Sequence, residues 1–284
     1  MTPLRQQMQA DMVLHGLAKP TQKVYIAAVA GIAKYYHRSP DLISPDEIKQ
    51  YLLHLINDRH LSTSTTNQAG CALKFLYRFT LKRAQTCIEI PLRRAPDKLP
   101  ECLSRQEVND IIDCCTNLRD RALLMIAYGS GLRLSELRGL KVSDIDAARM
   151  MLRVSDGKGG KDRYSLLSPL LLTTLRSYCK RYRPTTWLFP GNDERQPISQ
   201  SLPQRLFHAA KRHANISKGG GIHSLRHAFA THLIESGVDL HTIKVLMGHS
   251  HISTTERYLH MRQHHAEAHS PLDLLSRLPS SEPE

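Results

Sequence analysis

Six side chains in the second half of the chain have types and spacings suited to chemistry on a phosphate: Arg133, Lys158, His223, Arg226, His249 and Tyr258. Arg133 lies in Gly129-Ser130-Gly131-Leu132-Arg133-Leu134-Ser135-Glu136-Leu137, a turn that its glycines permit between two helical patterns. A planar guanidinium suits bidentate binding of a phosphate, and Glu136, three residues on, is placed to hold it. Lys158 stands between Gly157 and Gly159, where a turn lysine can serve as an electrostatic contact or a general acid. His223 and Arg226 share one face at a helix start and can converge on an oxyanion. His249 follows Gly248, a suitable helix C-cap, and Tyr258 comes nine residues later. A phenol with its ordinary pKa of ~10 is a weak nucleophile, and it gains reactivity where cations favour the phenolate.

Taken singly, each has a plainer reading. Arg133 is a surface arginine at a helix start, Lys158 a hairpin lysine, and Tyr258 a half-buried aromatic on an amphipathic helix. His223, His227 and His232 could suggest a metal, but no carboxylate ligand or HExxH pattern accompanies them, so no metal is expected.

The elements that must position these groups are mostly helical. Tyr25, Val29, Ile32, Ala33 and Tyr36 recur at helical steps. Ser44-Pro45-Asp46-Glu47 reads as a helix start, and a Ser/Thr cluster from Ser62 to Thr66 opens another helix through Leu73, Leu76 and Tyr77. Residues 1–88 are expected to form a four-helix module. Three prolines between Pro91 and Pro100 stop any helix, which makes 89–100 the linker. Beyond it, Ser104-Arg105-Gln106-Glu107 fits a capping box. Short strands are expected at Met150–Val154 and Arg163–Leu167, flanking a Gly-rich hairpin turn, with helices at about 119–128, 168–182, 199–214, 222–236, 239–247 and 253–264. The chain is thus read as mainly α, with a second domain over 101–269 that carries one small antiparallel sheet. A Pro/Ser-rich tail, expected to be flexible, follows at 270–284.

Composition bounds the partner. Lys and Arg number 39 against 26 Asp and Glu, a formal net charge of +13. The basic excess is shared, with 14 basic and 7 acidic side chains in residues 1–98 and 25 against 19 in the rest. Two basic domains joined by an extended linker point to one polyanion, nucleic acid first. The candidate contacts are Lys74, Arg78, Lys82, Arg83, Arg93, Arg94, Lys161 and Arg163. No apolar run approaches the ~18 residues that span a bilayer, and residues 1–20 carry Asp11, His15 and Lys19 rather than a signal-peptide core. Membrane insertion and secretion are therefore not expected. None of the six cysteines forms a CxxC pair, and the adjacent Cys114 and Cys115 read as packed thiols in a reducing compartment.

Read together, the order and spacing of the six residues resemble the tyrosine recombinase (phage integrase) family. The matching segments are GSGLRLSEL, the GKGGKDR hairpin, HSLRHAFATHL, LMGHSHISTT and ERYLH, and the resemblance runs over the whole chain. The N-terminal module resembles the family's core-binding (SAM-like) domain, including Thr21 and Tyr25 in a T-x-x-x-Y element. The resemblance is to compact Xer-type recombinases and stand-alone integrases of mobile elements. It implies that Tyr258 attacks a scissile phosphate to form a 3′-phosphotyrosyl link and that Arg133 and Arg226 bind the non-bridging oxygens. Lys158 would protonate the leaving 5′-oxygen, His223 would assist proton movement at Tyr258, and His249 would hydrogen-bond the phosphate.

It further implies double-stranded DNA as partner and a homo-tetramer in the synaptic complex, with a monomer or weak oligomer when free. No cofactor, membrane or small-molecule substrate is implied, and the setting would be the bacterial cytoplasm at the nucleoid. The expected role is integration or excision of a mobile element. Alternatives are Xer-type dimer resolution and a catalytically silent DNA-binding regulator on the same scaffold. A type IB topoisomerase and a metal-dependent nuclease rank lower.

Overall fold

The computed structural model describes residues 2–83, 90–93, 101–155 and 162–249. The chain divides into two compact units, Met1–Lys98 and Leu99–Glu284.

Among the described residues, the first unit holds four α-helices: α1 (Pro3–Leu14), α2 (Lys19–Tyr36), α3 (Pro45–Asn57) and α4 (Thr63–Phe75). Local sequence explains their starts. Ser44 Oγ accepts the Glu47 N–H at 3.3 Å while the Glu47 carboxylate accepts the Ser44 N–H at 2.8 Å, a complete capping box. Ser62 caps α4 in the same sense, through the Thr65 N–H. The end of α4 departs from the simple helix read from the sequence, because at Leu76–Thr80 it widens into a π turn. That turn carries Tyr77 into the core, where its hydroxyl donates to Pro40 O at 2.6 Å. Met8, Met12, Ile32, Ile48, Leu73 and Leu76 are buried around it, each such side chain worth roughly 1.5–3 kcal/mol. Residues 90–93, placed in the linker by their proline, pack on this unit. Ile90 is buried, and Asn67 holds both main-chain groups of Arg93, at 2.7 and 2.8 Å.

In the second unit the Ser104–Glu107 capping box starts α5 (Arg105–Asp113). Cys114 closes that helix, while Cys115 packs against the core and burial pushes its thiol up to about 11, an unreactive value. Helix α6 (Leu118–Gly129) is central, with Ala122 to Ala127 all buried. The short α7 (Leu134–Arg138) leads to the sheet. Strands β2 (Met151–Val154) and β3 (Arg163–Leu166) pair antiparallel in the register Val154 with Arg163 and Met151 with Leu166. A further strand, β1 (Ile145–Asp146), pairs antiparallel with β2, and its two residues carry no period to read in the sequence. Four helices complete the described part: α8 (Pro169–Tyr182), α9 (Ser201–His213), α10 (His223–Glu235) and α11 (Leu240–Met247). The helix expected at 253–264 and the tail at 270–284 lie outside the described residues.

Candidate active site

The site begins with a turn that only glycine can make. After α6 the chain reverses at Gly131, where φ is +58°, and a Cβ there would stand 2.3 Å from the Phe229 ring of α10. Two serines lock the turn to the sheet: Ser130 Oγ donates to Leu166 O, and Ser165 Oγ donates to Ser130 O, both at 2.7 Å. The chain then enters α7 with Arg133 at the N-cap. Glu136 accepts the Arg133 main-chain N–H at 2.7 Å and Arg133 Nη1 at 2.8 Å, so the carboxylate does hold the guanidinium.

Glu136 is the hub of a larger cluster. Arg163 on β3 meets its two carboxylate oxygens with Nη1 and Nη2, each at 2.8 Å. Arg226 on α10 brings Nη1 to 3.8 Å from the same carboxylate. Burial alone would raise the Glu136 carboxyl, but hydrogen bonds from Arg163 and the Arg133 N–H, the charge of Arg163 and the Arg133 side-chain bond carry it down to about 2. Three guanidiniums therefore surround one fixed carboxylate, leaving two positive charges in excess.

The same three arginines close the end of α11. Arg163 Nε donates to Leu246 O at 2.9 Å, Arg226 Nη2 to Met247 O at 2.6 Å, and Arg133 Nη2 to Gly248 O at 2.8 Å. These are the carbonyls a helix leaves without partners at its C-terminus, where its dipole favours cations. Gly248, at φ +61°, ends the helix as its C-cap, and His249 follows at once. Arg226 Nη1 also donates to Gly131 O at 2.5 Å, tying the first turn to this one.

The histidines beside this charge are held below the ordinary imidazole pKa. Burial, then Arg226 and Arg133, lower His223; burial, then Arg226, Arg133, Arg163 and His223, lower His249 to about 4. His227 packs edge-on against His223 with ring centroids 4.7 Å apart, and burial with the charge of its neighbours lowers it to about 4. His232, on the same helix, instead hydrogen-bonds Tyr128 through Nδ1 at 2.9 Å.

Of the six residues singled out in the sequence, Arg133, His223, Arg226 and His249 meet in one cluster. Lys158 and Tyr258 lie outside the described residues, as do Arg94 and Lys161. Among the expected DNA contacts, Arg78, Lys82, Arg83 and Arg93 are exposed and Lys74 is half-buried. Arg163, also expected as a DNA contact, has a side chain only 8% exposed, and each of its guanidinium nitrogens donates inside the protein. Alternation along β3 could not reveal this, because the partners stand 27 and 83 residues away.

Residues 101–265 match the phage integrase family, and residues 4–86 match the phage integrase N-terminal SAM-like domain. The integrase/recombinase y4qK of Sinorhizobium fredii is 41% identical over 279 residues, covering 98% of this chain and 91% of that protein. The tyrosine recombinase XerD of Yersinia pestis is 33% identical over 257 residues, covering 82% of this chain and 85% of that protein. Among solved structures, a lambda integrase tetramer bound to a Holliday junction shares the fold, with a TM-score of 0.71 and 19% identity over 90% of this chain and 76% of that one.

Proposed function

The chain belongs to the phage integrase family, tyrosine recombinases that cleave and rejoin DNA, and we propose that it integrates and excises a mobile element through a 3′-phosphotyrosyl intermediate on Tyr258. The observation that carries this reading is the cluster of Arg133, Arg226, His223 and His249 around Glu136, a fixed cationic pocket beside imidazoles of lowered pKa. Phosphoryl transfer gains most from positioning and from charge set in advance.

In this reading Tyr258 attacks the scissile phosphorus and the 5′-oxygen leaves with a proton from Lys158. The phosphotyrosine conserves the bond energy, so the freed 5′-hydroxyl of the partner strand rejoins without a nucleotide cofactor. Arg133 and Arg226 neutralise the non-bridging oxygens, a task other phosphoryl-transfer sites give to metal ions. His249 hydrogen-bonds the phosphate and His223 takes the phenol proton, which a neutral imidazole can accept. Two DNA duplexes would be held by four copies of the chain. The role in a mobile element rests on the resemblance of the N-terminal module and the GKGGKDRY segment to integrases of mobile elements.

The test starts from a pool of random-sequence duplexes. DNA captured covalently by the protein is sequenced and rebuilt as a nicked duplex whose cleaved end diffuses away. Wild type accumulates an adduct stable on a denaturing gel, and Tyr258→Phe binds the duplex without forming one. Binding with no adduct from the wild type would favour a DNA-binding regulator. Recombination between two copies of the captured site on one plasmid, with no reaction between element ends and target, would favour dimer resolution.

A further inference from the structure

We infer that Arg163 is a positioning residue for strand cleavage, one that holds the Glu136 carboxylate and the 246–249 turn in a single geometry so that Arg133 and His249 meet the phosphate already aligned. The inference rests on the strand-cleavage reading above and adds a residue that touches neither DNA nor the reacting atoms.

Arg163 joins two elements that nothing local would hold together. Its Nη1 and Nη2 take both oxygens of Glu136 on α7, and its Nε takes Leu246 O at the end of α11. Each end leads directly to a candidate phosphate contact. Glu136 grips Arg133 through both main chain and side chain, and Leu246 lies three residues before His249. The turn also rests on the arginine itself. A Cβ on Gly248 would fall 2.9 Å from Arg163 Cδ and 3.0 Å from Nε, so the backbone there runs against this side chain.

Packing alone does not explain the choice of residue. A buried ion pair can often be replaced by apolar side chains of similar volume at little cost in stability. A planar fork with a third donor is needed only if three acceptors on two elements must keep fixed directions. Lysine, with one ammonium, cannot span them. The arrangement also orders the arginines by task. Arg163, with its side chain 8% exposed, commits each guanidinium nitrogen to Glu136 or Leu246, while Arg133 remains 22% exposed. Arg163 thus holds the frame that presents Arg133.

The experiment uses the full chain and the nicked duplex recovered by covalent capture, made in two forms. One has the ordinary phosphodiester at the cleavage point, and the other has a neutral methylphosphonate there, which lessens the need for guanidinium charge. Misplacing a reacting group by an ångström costs ~10²-fold in rate. On the diester, Arg163→Ala and Arg163→Lys should therefore each cleave ~10–100-fold more slowly than wild type, with duplex Kd within about 3-fold. On the methylphosphonate that deficit should shrink by at least about 5-fold, a change that general loosening of the fold would not produce.

Cleavage of the diester by both variants at the wild-type rate would overturn the inference. So would an equal deficit on both substrates, or loss of duplex binding in proportion to the rate, which would make Arg163 a DNA contact. If Arg163→Ala does not fold, Arg163→Lys decides by the same comparison. A wild-type protein that binds the duplex yet yields no adduct brings down the strand-cleavage reading itself, an outcome distinct from all of these.

Discussion

Arg133 Nη2 donates to the main-chain oxygen of Gly248 at 2.8 Å, joining two turns that lie 115 residues apart in the chain. Arg226 makes a parallel link, since one guanidinium bonds both Gly131 O and Met247 O. The glycine turn that presents Arg133 and the helix end that presents His249 therefore form one unit. A site assembled in this way has paid most of its reorganisation before DNA arrives, which is what electrostatic stabilisation of a phosphorane-like transition state requires.

Arg133 and Arg226 should separate when stability is measured. Arg226→Ala strips a fully buried guanidinium from two carbonyls and from the neighbourhood of Glu136, and should lower unfolding free energy by about 3–5 kcal/mol. Arg133→Ala removes a partly exposed group and should cost about 1–2 kcal/mol. Urea unfolding of both variants, followed by circular dichroism, checks the order.

Gly131→Ala should be far more damaging than an ordinary glycine replacement. The residue needs φ +58°, and the added methyl would sit 2.3 Å from the Phe229 ring. Strain and overpacking together should cost roughly 2–4 kcal/mol, with the cleavage rate falling in step as Arg133 is displaced. By contrast, Gly237→Ala meets nothing within 4 Å and carries only the strain of φ +82°. Melting curves of the two variants give the comparison.

Much of this fold was legible because its signals are local. The helix start at Ser44 and the capping box at Ser104 sit within four residues and formed as read. Gly248 as a helix end and Glu136 as the holder of Arg133 were legible for the same reason. What escaped depends on distant partners. Arg163 reads as one more cation beside a basic hairpin until Glu136 and Leu246 reach it from elsewhere in the chain. Arg226 reads as half of an oxyanion clamp at a helix start, and nothing near it in sequence shows its bonds to Gly131 O and Met247 O. The π turn at Leu76–Thr80 has no pattern of its own, and it shows only once Tyr77 finds Pro40.

The free protein should lose stability on the acid side in two stages. His227 and His249 have folded values of about 4 against an ordinary 6.5. Between those values the unfolded chain binds protons that the folded chain refuses, so stability rises with pH across that window and is lost as pH falls through it. Glu136, lowered from 4.5 to about 2, contributes stability that is present above about 4.5 and lost as pH falls toward 2. Urea midpoints taken between about pH 7 and pH 3 should fall monotonically. His227→Gln should flatten the upper stage and Glu136→Gln the lower.

Salt dependence should tell the exposed arginines from the buried one. Arg78 is exposed on the first unit, and as a phosphate contact it should reduce the slope of log K against log salt by about 1 when changed to Ala. Arg163→Ala should leave that slope unchanged, because its guanidinium is spent on Glu136 and Leu246. Fluorescence anisotropy on the captured duplex at several salt concentrations measures both.

The most direct test of the account is the identity of the covalent bond. The wild-type adduct should be digested with protease and nuclease, and the nucleotide-bearing peptide sequenced by mass spectrometry. The account predicts a single modified residue, Tyr258, joined to a 3′-phosphate, with a free 5′-hydroxyl on the released strand. Attachment to a 5′-phosphate, or to any other side chain while Tyr258 remains unmodified, would contradict it.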